Sequence, residues 1–234
     1  MNKKYKYVIF DLDRTLWDFD RVLKEVLEEL FLEMIKPHSS CSFDFFHNKY
    51  SIINSGLWEK YRENQIEKEF LRVKRFSITL EEIGLDRPWI ANEMAEQYII
   101  RTANKSYLFP GALDILKYLK GKEYIMAVMT NGFKEVQYPK IERSGLYPYF
   151  KYFFISEEVG YNKPDIRIFN FALKEMNASA EQVVFVGDDY EVDIEGAASA
   201  GIDQIFFNPQ ILADLNRRPA TYCISALIEL KKIL

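Results

Sequence analysis

Asp11, Asp13 and Thr15 alternate along the chain directly after the apolar run Tyr7-Val8-Ile9-Phe10. Two carboxylates and a hydroxyl at the end of an apolar strand are the kind of groups that an open α/β sheet presents to a ligand. Their order is the layout of an aspartate-nucleophile phosphate site. The same residues also fit a strand that ends in a polar turn, with Thr15 capping the next helix.

Three later segments repeat the pattern of chemistry after an apolar run. Met129-Thr130-Asn131-Gly132-Phe133 brings a hydroxyl and successive backbone N–H groups that can receive phosphate oxygens, with Gly132 permitting close backbone approach. Asn-Gly is also an ordinary turn dipeptide. Lys163, just ahead of Pro164 in the loop at 158–165, can offset the charge of a transferring phosphoryl group, although a lone lysine is usually a solvated surface residue. Gly187-Asp188-Asp189-Tyr190-Glu191-Val192-Asp193 sets further carboxylates at another strand end. Acids crowded at one edge repel unless a cation joins them, which makes Mg²⁺ the expected cofactor; the competing reading is a helix with an acid-rich first turn. For all four segments to be ordinary turns and caps, four independent coincidences would have to coincide.

The elements that must position these groups are legible from periodicity. Near-continuous apolar runs at 124–129, 152–155, 183–186 and 204–207 join 7–10 as buried parallel strands, with helical stretches at 112–120 and 167–176 between them. This rhythm predicts an α/β fold, a doubly wound parallel sheet of Rossmann-like type with right-handed crossovers. The interval 18–105 contains no convincing strand. Its apolar stripes (Val22, Leu23, Val26, Leu27, Leu30, Phe31, Met34; then Phe46, Tyr50, Ile53, Leu57; then Ile66, Phe70, Val73, Phe76, Leu80, Ile83) predict helices, and a last helix begins near Pro88. The expected organisation is a catalytic core of 1–17 and 106–234 with a small helical cap domain, 18–105, inserted after the first strand, hinged near 18–20 and 104–107.

Composition bounds the partners. With 234 residues, 48% of them hydrophobic, and a net charge of −4, nothing favours a nucleic acid polymer or an anionic membrane. The basic start, with Lys3, Lys4 and Lys6, leads into an apolar run too short for a signal peptide's core, and no stretch reaches the length of a membrane span, so a cytoplasmic protein is expected. Cys41 and Cys223 match no metal-ligand spacing and read as reduced thiols. His38 and His47 fall in the helical interval with no nucleophile motif to serve, which disfavours a serine or cysteine hydrolase.

Taken together, the four segments resemble the motifs of the haloacid dehalogenase-like hydrolase superfamily: Asp11, Asp13 and Thr15 the first, Thr130 the second, Lys163 the third, Asp188 and Asp193 the fourth. The resemblance spans essentially the whole chain and implies phosphoryl transfer through a covalent aspartyl-phosphate. It implies Asp11 as nucleophile and Asp13 as the acid, then base, of the two half-reactions, with Thr130 and Lys163 completing the catalytic set. Leu12, Thr130, Asn131, Gly132 and Lys163 would hold the substrate. Mg²⁺ would bind Asp11, Asp188 and the main-chain oxygen of Asp13, with Thr15 and Asp193 in support. Arg14 stands where the family often has glycine, and Asp189 competes with Asp188 as direct metal ligand, the spacing from Gly187 favouring Asp188.

An acid at position 13 favours phosphate ester hydrolysis over dehalogenation, because a halide leaves without a proton and an alkoxide does not. The stretches 11–19, 53–58 and 130–133 resemble the pyrimidine 5′-nucleotidase branch, so the expected substrate is a small phosphate monoester, a nucleoside 5′-monophosphate foremost. Trp17, Phe19, Trp58 or Tyr61 could stack on its base, against the alternative that Trp58 and Tyr61 belong to the core of the cap. A sugar-phosphate phosphatase and a non-catalytic phospholigand-binding regulatory protein are the alternatives; a monomer or weak homodimer is expected.

Overall fold

The computed structural model describes residues 5–209 and 220–234. Lys3 and Lys4 lie outside the described residues. The chain divides into two compact units, Met1–Phe19 with Ser106–Leu234, and Asp20–Lys105. Strand β1 (Tyr7–Phe10) is buried at every position and opens the sheet of the first unit.

Four helices make up the second unit: α1 (Phe19–Leu30), α2 (Phe43–Arg62), α3 (Lys68–Glu82) and α4 (Pro88–Asn104). α1 buries Val22, Leu23, Val26, Leu27 and Leu30, as the stripe requires. It runs into a wide turn, Phe31–Ile35, in which the Lys36 N–H donates to the Phe31 carbonyl at 2.8 Å. The extra residue in that turn rotates the stripe, so Ile35 is buried and Met34 only half-buried. Ser42 caps α2 by accepting from the Phe45 N–H, and Pro88 sits in the first turn of α4, where a missing N–H is harmless. The stripe expected on α3 is corrected: Ile66 precedes the helix, Phe70 is 45% exposed, and the buried face is Leu71, Arg75, Phe76, Thr79 and Leu80. Arg75 can take a core position because its guanidinium lies over the rings of Tyr98 at 4.3 Å and Phe76 at 5.3 Å.

The first unit continues through α5 (Ala112–Gly121), β2 (Ile125–Thr130), α6 (Lys134–Arg143), β3 (Phe150–Ile155), α7 (Ser156–Val159), α8 (Ile166–Met176), β4 (Val183–Gly187), α9 (Gly196–Ser199), β5 (Asp203–Phe207) and β6 (Tyr222–Ile224). Among the described residues, six strands form one parallel sheet in the order β3-β2-β1-β4-β5-β6, which is the doubly wound sheet that the β-then-α rhythm predicts. Strand β6 has three residues, Tyr222, Cys223 and Ile224, an apolar run too short to announce a strand. On one side, Tyr7, Ile9, Ala127, Met129, Phe154, Val183 and Phe185 form a continuous core with Ile168, Phe169, Ala172 and Met176 of α8.

Candidate active site

Register decides which side chains meet. Phe10, the last residue of β1, pairs with Val128 of β2 on one side and with Val186 of β4 on the other. Asp11, Thr130 and Asp188 each follow within two residues, so three strands deliver their polar groups to one stretch of the sheet's carboxyl edge. The Asp11 N–H donates to the Val186 carbonyl at 2.9 Å, carrying the ladder one residue past β1 and fixing the carboxylate.

Asp11 is 6% exposed, and its Oδ1 accepts from Lys163 Nζ at 2.7 Å. Lys163, equally hidden, also donates to Asp193 Oδ1 at 2.6 Å. The loop that carries Lys163 is fastened by Asn131, whose side chain donates to the Lys163 carbonyl at 2.9 Å and accepts from the Lys163 N–H at 2.8 Å. The Asn131 side chain is thus engaged with protein. Leu12 is buried beside Asp11, and its carbonyl accepts from the Leu16 and Trp17 N–H groups, shaping the turn that carries Asp13. Thr15, fully buried, donates to Asp188 Oδ1 at 3.3 Å.

Arg14 in that turn has φ +67°, the left-handed region that glycine enters freely and other residues enter at about 1 kcal/mol. Its guanidinium lies 4.7 Å from the Phe19 ring, a contact that offsets part of the strain.

Burial raises the Asp11 carboxyl to about 7 against the opposing attraction of Lys163, and burial likewise raises Asp188 and Asp193. Burial pushes the Lys163 ammonium down, but Asp11 and Asp193 reverse this and hold it above the usual lysine range. Asp11, Asp188 and Asp193 together therefore carry more negative charge than Lys163 compensates.

Oxygens of Asp11, Asp188 and Asp193 lie within 4.8 Å of one another. Both oxygens of Asp193 already accept hydrogen bonds, from Lys163 and from the Asp189 N–H at 3.2 Å. Asp11 Oδ2 is buried with no hydrogen-bond partner, which is the unsatisfied atom a cation would occupy. Hard carboxylate oxygens fit a hard divalent cation. Asp189 instead caps the turn Tyr190–Glu195 by accepting from the Val192 N–H at 3.1 Å, and is exposed. Gly187 is required by close packing, because a Cβ there would enter the Asp193 carboxylate.

A family model described as haloacid dehalogenase-like hydrolase matches residues 5–201. The chain belongs to this family of hydrolases. It is 31% identical over 232 residues to the pyrimidine 5′-nucleotidase YjjG of Escherichia coli, covering 99% of this chain and 98% of that protein. Against the pyrimidine 5′-nucleotidase PynA of Streptococcus pneumoniae the identity is 31%, over 93% and 90% of the two chains. The crystal structure of the HAD-hydrolase YfnB of Bacillus subtilis, described as bound to magnesium and as revealing interdomain movement, is 30% identical, with a TM-score of 0.88 over 99% of both chains.

Two residues of this hydrolase's site went unread in the sequence. Asp13 Oδ1 accepts from Lys140 Nζ at 2.7 Å and Asp13 Oδ2 from Gln137 Nε2 at 2.8 Å; the same Gln137 nitrogen donates to Thr130 Oγ1 at 3.1 Å. Both donors sit on α6, whose sparse apolar content and internal Pro139 give no helical stripe to follow. The one available signal is their separation of three, which places them on one helix face. The space that a Cβ at Gly132 would need is filled by the Gln137 side chain. Trp17 is fully buried with Lys140 Nζ 4.0 Å from its ring centre, so it is no stacking surface for a base. Trp58 and Tyr61, both half-buried, meet edge to face at 5.6 Å in the helical unit.

Proposed function

We propose that this hydrolase cleaves small phosphate monoesters, nucleoside 5′-monophosphates foremost, through a phosphorylated Asp11. The observation that carries the reading is the pair of unlike carboxylates on one turn: Asp11, buried against Lys163, and Asp13, partly open to solvent and held by Lys140 and Gln137. The likeness to two pyrimidine 5′-nucleotidases supports the substrate class.

An Asp11 oxygen donates its electron pair to phosphorus. As the phosphorus–ester bond breaks, its electron pair goes to the ester oxygen, which takes the proton of Asp13 and leaves as an alcohol. Asp13, now a carboxylate, removes a proton from water while the water oxygen bonds to phosphorus. The bond to Asp11 then breaks with its pair returning to Asp11, which releases phosphate and leaves Asp13 protonated again. Thr130 and the main-chain N–H groups after β2 orient the phosphoryl oxygens, and Lys163 compensates their charge. Mg²⁺ held by Asp11, Asp188 and the Asp13 main-chain oxygen, with Thr15 and Asp193 behind them, would add Lewis-acid charge stabilisation. The core and cap roles belong, in this reading, to the sheet unit and the helical unit respectively, and the hinges to the segments at 18–20 and 104–107.

The test is phosphate release from uridine 5′-monophosphate, adenosine 5′-monophosphate and ribose 5-phosphate with Mg²⁺, with EDTA and Asp11→Asn as controls. Metal-dependent preference for the pyrimidine nucleotide supports the full reading. Preference for ribose 5-phosphate keeps the chemistry and removes the substrate class, and no release from any ester by the folded protein overturns both.

A further inference from the structure

The Asp13 carboxylate is gripped on both oxygens by α6, an element that contributes none of the motif residues. Gln137 is 1% exposed and Lys140 2%, so neither is a surface side chain that happens to fall nearby. Burying an ammonium is costly unless a partner is placed for it, and Lys140 has Asp13 Oδ1 at 2.7 Å with the Trp17 ring behind it at 4.0 Å. Trp17 is itself fixed by the turn, since the Arg14 N–H donates to its carbonyl at 2.8 Å and its own N–H to Leu12 at 2.9 Å. The second grip, Gln137, reaches Asp13 and Thr130 with one nitrogen and fills the space that Gly132 leaves free.

A carboxyl oxygen has two lone-pair positions, so one donor on each leaves one position on each for the travelling proton. What the donors remove is rotation of the carboxyl group about its bond to Cβ. Proton transfer in the transition state depends on that orientation, and so does its benefit, typically about 10²- to 10⁴-fold.

We propose that Lys140 and Gln137 are positioning residues that hold the Asp13 carboxyl in the orientation needed to protonate the departing ester oxygen, with Gln137 registering that orientation against the phosphate-holding Thr130. The inference rests on the hydrolytic reading above and adds to it a cause for activity toward poor leaving groups. An alkoxide cannot depart without the proton, whereas a nitrophenolate can. Losing the grip therefore harms alkyl esters far more than p-nitrophenyl phosphate.

The experiment compares kcat and KM of the unsubstituted protein, Lys140→Met, Lys140→Arg and Gln137→Leu on two esters: p-nitrophenyl phosphate and whichever of uridine 5′-monophosphate or ribose 5-phosphate is hydrolysed faster. Lys140→Met is expected to lower kcat/KM, which reports the steps through loss of the alcohol, about 10- to 100-fold on the alkyl ester and at least about 10-fold less on p-nitrophenyl phosphate, whereas water attack on the shared phosphorylated Asp11 enters kcat for both esters alike. Gln137→Leu shifts the same ratio in the same direction by a smaller factor, and Lys140→Arg, which keeps a donor, restores part of it. Equal losses of kcat/KM on both esters overturn the positioning role while leaving the hydrolytic reading intact. If Lys140→Met does not fold, the ratio for Gln137→Leu decides. Absence of turnover by the unsubstituted protein on every ester removes the hydrolytic reading and this inference with it.

Discussion

Each unit buries a cation, and the two do it differently. In the sheet unit Lys163 lies between Asp11 and Asp193, at 2.7 and 2.6 Å, and Lys140 lies on Asp13. In the helical unit Arg75 is 3% exposed, yet among the described residues it forms no salt bridge; its guanidinium rests on the faces of Tyr98 and Phe76, and its Nε has no hydrogen-bond partner. A delocalised, weakly hydrated guanidinium can be buried against aromatic rings, whereas an ammonium requires localised oxygen partners. The lysines hold motif carboxylates in place. The arginine fills a position in a packed face.

The largest expected effect falls on the paired side. Asp11→Asn removes the proposed nucleophile with almost no change of shape, and phosphate release is expected to drop about 10⁴-fold or more while the unfolding transition is kept. Asp13→Asn lowers kcat/KM on alkyl esters by about 10²- to 10⁴-fold, the usual contribution of a positioned acid, and spares kcat/KM on p-nitrophenyl phosphate by comparison.

The next pair of substitutions tests the comparison itself. Lys163→Met leaves Asp11 and Asp193 buried without their cation, and removing one partner of a buried ion pair costs about 3 to 5 kcal/mol. Arg75→Met removes a buried charge that has no carboxylate to abandon, losing a ring contact and gaining an apolar fit, and it shifts stability by less than about 2 kcal/mol. Chemical unfolding of the two variants checks the ordering. Equal losses would mean that Arg75 is held by more than aromatic faces.

Metal, and pH through the buried carboxyls, act on the sheet unit's side of this comparison. Burial holds the Asp11 carboxyl up at about 7 and raises Asp188 and Asp193, so the folded protein without metal binds protons that the unfolded chain has already released. The stability that these carboxyls contribute is therefore fully present below the ordinary carboxylate range and is lost as pH rises through 7. A divalent cation relieves that charge and must displace those protons, so Mg²⁺ is expected to raise the melting temperature more at pH 8 than at pH 6. A metal effect that is the same at both pH values would show that the acidic cluster is not the binding site.

The contrast between legible and illegible parts follows the same division. The motif carboxylates could be read because each follows an apolar strand, and strand, edge and charge are all visible in the local sequence. The family and the parallel sheet were legible on that basis. Lys140 and Gln137 were not, because their partners lie 127 and 124 residues away in the chain and α6 has no apolar period to mark its faces. Arg75 escaped for a related reason: apolar periodicity treats arginine as solvated, whereas the rings of Phe76 and Tyr98 make its position a core one. The buried position at Ile35 depended on a one-residue widening of a helical turn, which a strict 3.6-residue period does not encode.

The smallest effect comes from cations that are neither buried nor catalytic. At the end of α4, Arg101 grips Glu33 with two hydrogen bonds, at 2.9 and 2.6 Å, while Lys105 reaches Glu29 at 2.9 Å. The Arg101 bonds hold the Glu33 carboxyl below its usual range, so whatever the pair contributes is present at neutral pH and fades as pH falls through the acidic range. Half of the Glu33 side chain stays in water, however, and water and salt screen what the fork geometry gains. Glu33→Gln is accordingly expected to lower stability by less than about 1 kcal/mol, and by less still in 1 M salt, without any change in phosphate release. A loss approaching that of Lys163→Met, persisting at high salt, would show that this exposed fork behaves as a buried pair and would erase the distinction drawn between the two kinds of cation.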